Sequence, residues 1–117
     1  MDMIKKSHDY KVEIAHNRQG GKGHVTFHYF YEPEDFLGKG RLFGKTIIEP
    51  GNSVGYHVHE GDQEAYYILK GKALYNDNGQ EVELESGDMG ICKDGEGHSI
   101  ESIGDENLEY VMLILYS

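Results

Sequence analysis

Apolar residues in this 117-residue chain recur at every second position, in short runs that end on Gly, Asn or Asp, and nowhere settle into a helical period. Successive side chains of a strand point to opposite faces, so such runs read as half-buried strands and their ends as tight reversals. The spacing predicts strands over Val25–Tyr31, Arg41–Glu49, Ala65–Lys70, Gln80–Leu84, Met89–Cys92, His98–Ile103 and Leu108–Tyr116. Asn76-Asp77-Asn78-Gly79 is the strongest hairpin signal, because Asn-Gly accepts the positive φ of a two-residue turn. Residues 1–24 read as a polar arm and a glycine-rich loop, with one short strand near Lys11–Ala15. Residues 25–117 then form a single all-β domain, a sandwich or a barrel.

Two strands carry more apolar surface than a small barrel can hide. In Leu108–Tyr116, Val111, Leu113 and Leu115 occupy one face and Tyr110, Met112, Ile114 and Tyr116 the other, so both faces need cover. A second copy of the chain supplies that cover in a homodimer; N-terminal residues of the same chain are the alternative. In Val25–Tyr31 the stronger apolar face is Val25, Phe27, Tyr29 and Tyr31. His24 and His28 fall opposite it, which suits a surface or subunit contact better than ligation.

The chemistry concentrates in Gly51–Gly71, GNSVGYHVHEGDQEAYYILKG. His57 and His59 are two residues apart and share a strand face. The segment Glu60-Gly61-Asp62-Gln63 reads as a reversal, after which Glu64 opens a returning strand. Two neutral imidazoles and a carboxylate aimed at one point suit a divalent transition metal. His98 is a fourth candidate, on the same face of its strand as Ile100 and Ser102.

Gly51, His57, His59, Glu64 and Gly71 match every fixed position of the first cupin motif, G-x5-H-x-H-x3,4-E-x6-G. Gly87, Gly95 and His98 match the second, G-x5-P-x-G-x2-H-x3-N, with Lys93 in place of proline and Ser102 in place of asparagine. From about residue 40 onward the chain therefore resembles a small single-domain cupin of the oxalate decarboxylase-like kind. The resemblance implies a double-stranded β-helix, or jelly-roll, barrel. It implies one divalent metal per chain (Mn, Fe, Co, Ni, Cu or Zn) on His57, His59, Glu64 and His98. It implies a metalloenzyme acting on a small oxygen-rich molecule such as a dicarboxylate, 2-oxo acid, enediol or sugar. Decarboxylase, dioxygenase and isomerase chemistry all fit; a non-catalytic, metal-dependent binding or sensing module is the alternative.

Around such a site, Tyr56 and Tyr66 are candidate cavity residues, with plain packing as their other role. Arg41 and Lys45 share a strand face, which is either solvated or, where it lines a cavity, a holder of substrate anions. Glu60 and Glu96 lie in loops beside the ligands and are the nearest acids in sequence. The formal charge of −10 argues against nucleic acid or an anionic membrane surface as partner. The single Cys92, in an apolar run, has no internal disulfide partner and reads as a buried thiol. The N-terminal decapeptide carries no apolar signal core and no run is long enough to span a bilayer, so the expected location is cytoplasmic.

Overall fold

The computed structural model describes residues 4–117; residues 1–3 of the arm expected over 1–24 lie outside the described residues. Ten strands alternate with tight turns: β1 (Lys11–His16), β2 (His24–Tyr29), β3 (Gly40–Ile48), β4 (Ser53–Val58), β5 (Asp62–Lys70), β6 (Ala73–Asp77), β7 (Gln80–Leu84), β8 (Met89–Cys92), β9 (Gly97–Ser102) and β10 (Leu108–Tyr116). They form a six-stranded sheet, β1-β2-β3-β10-β5-β8, and a four-stranded sheet, β4-β9-β6-β7, antiparallel throughout. The two face each other as a jelly-roll barrel, and the alternation seen in the sequence becomes inside against outside. Ile48, Tyr66, Ile68, Leu108, Tyr110 and Met112 from one sheet meet Val54, Ala73, Tyr75 and Ile100 from the other in one core.

The Asn-Gly signal is realised as the β6–β7 hairpin: Asn78 and Gly79 hold φ of 52° and 102° between the paired Asp77 and Gln80. The segment Glu32–Leu37 closes as a 3-10 turn at Pro33–Phe36. The N-terminal region is more ordered than a polar arm. The short strand near Lys11 is β1, paired with β2 along its whole length from Lys11↔Tyr29 to His16↔His24. Its alternation is short and its apolar residues, Val12 and Ile14, stay exposed, so the pairing with a strong neighbour holds it.

Two irregularities re-aim side chains toward the site. On β4 the partner of β9 moves from Val54↔Ile100 to His57↔His98, three residues against two. On β3 the partner of β10 moves from Leu42↔Ile114 to Gly40↔Leu115, which leaves Arg41 as the extra residue. Each is a β-bulge, a device that bends a strand and redirects a side chain.

Candidate metal centre

His57 enters the barrel from β4 because the bulge brings it directly opposite His98 of β9. His59 lies one residue past β4, where its N–H donates to the Glu96 carbonyl at 2.9 Å and its carbonyl accepts from Gly95 at 2.7 Å. These two bonds keep the chain extended, so His59 stays on the same face as His57. Asp62 already belongs to β5, so the reversal is shorter than the four residues expected. Moreover, β5 returns in the other sheet. The three histidines therefore approach from the four-stranded side, and Glu64 crosses to them from the six-stranded side.

Their donor atoms meet. All four ligand atoms lie within 4.8 Å of one another. His98 Nε2 is 3.1 Å from His57 Nε2 and 3.2 Å from His59 Nε2. Glu64 Oε1 is 3.1 Å from His98 Nε2, 3.2 Å from His59 Nε2 and 3.9 Å from His57 Nε2. Each ring is fixed from behind through Nδ1: His57 to the Gly55 carbonyl at 2.8 Å, His59 to Asp62 Oδ1 at 2.7 Å, and His98 to the Tyr75 hydroxyl at 2.9 Å. A carbonyl and a carboxylate only accept, so Nδ1 carries the proton in His57 and His59 and the lone pair sits on Nε2. The Tyr75 oxygen can accept in the same way from His98. Lone pairs of imidazoles aimed at one another, beside a carboxylate oxygen, repel unless a cation stands among them. The set fits a divalent transition metal, and rings oriented from behind are how such sites are held.

Where protons instead of a metal ion occupy the Nε2 atoms, the same contacts shift the ionisable groups. Burial by itself raises the Glu64 carboxyl, but the three imidazoles, His59 and His98 within hydrogen-bond reach and His57 at 3.9 Å, outweigh it and hold the group far below its usual range. His59 is raised above 6.5, chiefly by its hydrogen bond to Glu64 and further by Asp62, against the effect of burial. His98 is lowered, because burial outweighs Glu64 there. Cys92 is buried and its thiol is pushed up to about 11 by desolvation, the inert thiol its apolar setting predicted.

Above the cluster a cavity of about 70 Å³ opens to solvent. Its walls include Phe27, Thr46, Tyr66, Tyr110 and Met112, and Arg18, Gln19 and Arg41 reach it from the exposed rim. Tyr66 lies flat against the His98 ring, with centroids 4.8 Å apart and planes 19° apart. Arg41 is re-aimed by its bulge and donates from Nε to Asp62 Oδ2 at 2.9 Å. Lys45, on the same sequence parity, stays on the outer face and pairs with Glu109 at 3.6 Å. Tyr56 also points outward, 48% exposed, over Gly97. Glu60 is exposed, and Glu96 Oε1 accepts from the Lys93 N–H at 3.0 Å; neither lines the cavity. Sequence reasoning missed Asp62, Tyr75, Arg18 and Gln19. Asp62 had a local signal, three residues after His59; the others come together only through the fold.

A double-stranded β-helix with three imidazoles and one carboxylate converging inside the barrel defines a class of metal-site jelly rolls. The Cupin domain model matches residues 44–114, and the chain belongs to the cupin family. It is 40% identical over 113 residues to an oxalate-binding protein of Thermotoga maritima, covering 97% of this chain and 93% of the relative. The crystal structure of a predicted oxalate decarboxylase from Thermotoga maritima superposes with a TM-score of 0.94 at 39% identity, covering 98% of this chain and all of that one. The polyketide cyclase RemF from Streptomyces resistomycificus shares the fold at 19% identity and a TM-score of 0.79, over 99% of this chain and 80% of that one.

Proposed function

We propose that the protein binds a small chelating acid of the oxalate class through one divalent transition metal held by His57, His59, Glu64 and His98. The observation that carries this is the convergence of three back-anchored Nε2 atoms and Glu64 Oε1 at the foot of a small cavity. A divalent ion there supplies a Lewis-acid centre with positions left for a ligand. The space above it, about 70 Å³, is far below the roughly 300–1,000 Å³ of drug-sized sites, which favours a small acid over a sugar. The likeness to an oxalate-binding protein points the same way.

Binding without turnover is favoured over catalysis by what lines the cavity. Apart from the ligands that line it, His57, His59 and Glu64, and the arginines, its ionisable groups are Tyr66 and Tyr110, both raised by burial and so poor proton donors near neutrality. Glu60 and Glu96 lie outside it. The test is calorimetry on metal-loaded protein with oxalate, 2-oxo acids, enediols and sugars, beside product analysis. Oxalate is expected to bind, to stop binding when the metal is stripped, and to be recovered unchanged. Binding that survives metal removal, or none from any chelating acid, overturns the reading; recovered product restores the enzyme. We also infer a homodimer through the outer face of the six-stranded sheet.

A further inference from the structure

The chain has two arginines in all, Arg18 and Arg41, and both line the metal cavity of a protein with a formal charge of −10. They arrive from separate elements, a 3-10 turn at Arg18–Gly20 and the β3 bulge. Both precede residues 44–114, the part matched by the family model. The ligand cluster thus sits in the shared part of the fold, while the cationic rim comes from the segment before it.

The rim keeps guanidinium donors free beyond its internal contacts. Arg41 Nε is committed to Asp62, and among the described residues no hydrogen bond engages its Nη groups; its side chain is 49% exposed. Arg18 makes no ion pair among the described residues, and its guanidinium carbon stands 5.2 Å from the Phe27 ring centroid, which steers the fork without neutralising it. The Arg18 turn cannot drift away from the mouth freely. Ser53 N donates to the Lys22 carbonyl at 3.0 Å and Lys22 N to Ser53 Oγ at 2.9 Å, while Gly21 and Gly55 let the two backbones touch. A planar guanidinium binds a carboxylate as a two-toothed fork.

We propose that Arg18 and Arg41 form an anion-reading rim that sets the charge selectivity of this site, favouring a dianion over a monoanion and a monoanion over a neutral chelator. The inference rests on the metal-dependent binding proposed above. An acid that enters oxygen-first toward the ligand cluster presents its remaining carboxylate oxygens to the rim. A neutral ligand of the same shape has no charge for the arginines to read.

Oxalate, oxamate and oxamide are near-isosteric and carry charges of −2, −1 and 0, so they isolate this effect. Their affinities are measured by calorimetry on metal-loaded wild type, Arg18→Gln and Arg41→Gln, with metal content per chain determined on each sample. Each substitution is expected to weaken oxalate roughly five- to tenfold, oxamate less and oxamide not at all, with metal content unchanged. Added salt should erode oxalate binding in wild type more than in Arg18→Gln. Equal weakening of all three ligands, or no weakening of oxalate, overturns the inference while leaving metal-dependent binding intact. Loss of metal in Arg41→Gln overturns the rim role of Arg41, which then acts through Asp62, and Arg18→Gln decides the rest. Wild type that holds one metal per chain and binds none of the three defeats the binding reading and this inference together.

Discussion

At the scale of single residues, the site is four donors and the three groups that aim them. Tyr75→Phe preserves the ring and removes the oxygen 2.9 Å from His98 Nδ1, leaving a buried N–H without an acceptor. Metal affinity is expected to fall about 10- to 100-fold, measured by competition with a chelator of known affinity, while the far-ultraviolet spectrum stays unchanged. Unaltered affinity would show that the hydroxyl does not orient the ring. The pH dependence has a definite sign. A metal binds neutral imidazole, and His59 is held above 6.5 while His98 is held below it. Below the raised value, binding must displace a proton from His59, whereas His98 has already lost its own near neutrality. Glu64, far below its usual range, stays ionised and contributes nothing there. Affinity should therefore weaken as pH falls through and below the His59 value, with proton uptake by the buffer, read by calorimetry in two buffers of different ionisation enthalpy. Release that grows as pH rises would contradict it. Three of the four donors were legible in the sequence because their spacing is local, i and i+2 on a strand and then a carboxylate after a reversal; His98, far downstream, was legible only through its match to the second cupin motif. Tyr75 was not, since it reaches His98 from a neighbouring strand.

At the scale of elements, alternation predicted most strands but could not see bulges. Period-two counting put Arg41 and Lys45 on one face; the extra residue at Arg41 separates them, one at the cavity rim and the other on the outer sheet face. Nor could it reveal that β4 and β5, neighbours in sequence, lie in different sheets. The turn at Arg18–Gly20 was hidden inside a polar, glycine-rich stretch whose partner is far along the chain. That contact leads to a test. A Cβ on Gly55 would overlap the Gln19 carbonyl oxygen, a clash that only movement of the turn or of β4 can relieve. Gly55→Ala is expected to cost about 1–3 kcal/mol, seen as a fall of several degrees in Tm. It should also weaken oxalate more than oxamide, because Arg18 moves with the turn. An unchanged Tm would mean that the turn is not packed against β4 in solution.

At the scale of the whole molecule, the inner faces pack into one core, while the outer face of the six-stranded sheet carries exposed apolar side chains. Strand pairing sets Val12, His28, Lys45, Val111, Tyr67 and Met89 side by side in one row across all six strands. Leu113, Ala65 and Ile91 lie beside one another in the next. Tyr67 and Met89 are 46% and 57% exposed, and β1 extends the sheet at its edge instead of folding across this surface. The apolar second side of β10 read from the sequence is thus part of a broad face; among the described residues Tyr10 packs on Phe30, and Phe30 on Phe43, at one side of it, while Tyr67 and Met89 stay exposed. Its central charges already answer each other, Lys45 Nζ with Glu109 at 3.6 Å, so closing the face need not bury an unpaired ion. A twofold pairing of identical sheets presents each apolar row to its equivalent, and a stable interface needs about 800 Å² from each partner. Light scattering at tens of micromolar is expected to give twice the 13.2 kDa chain mass. The double substitution Tyr67→Glu and Met89→Glu, at positions exposed enough to leave the barrel folded, should return the single-chain mass with metal content retained. A wild type that runs at 13.2 kDa sinks the dimer. A double variant that still runs at twice that mass places the interface on some other surface.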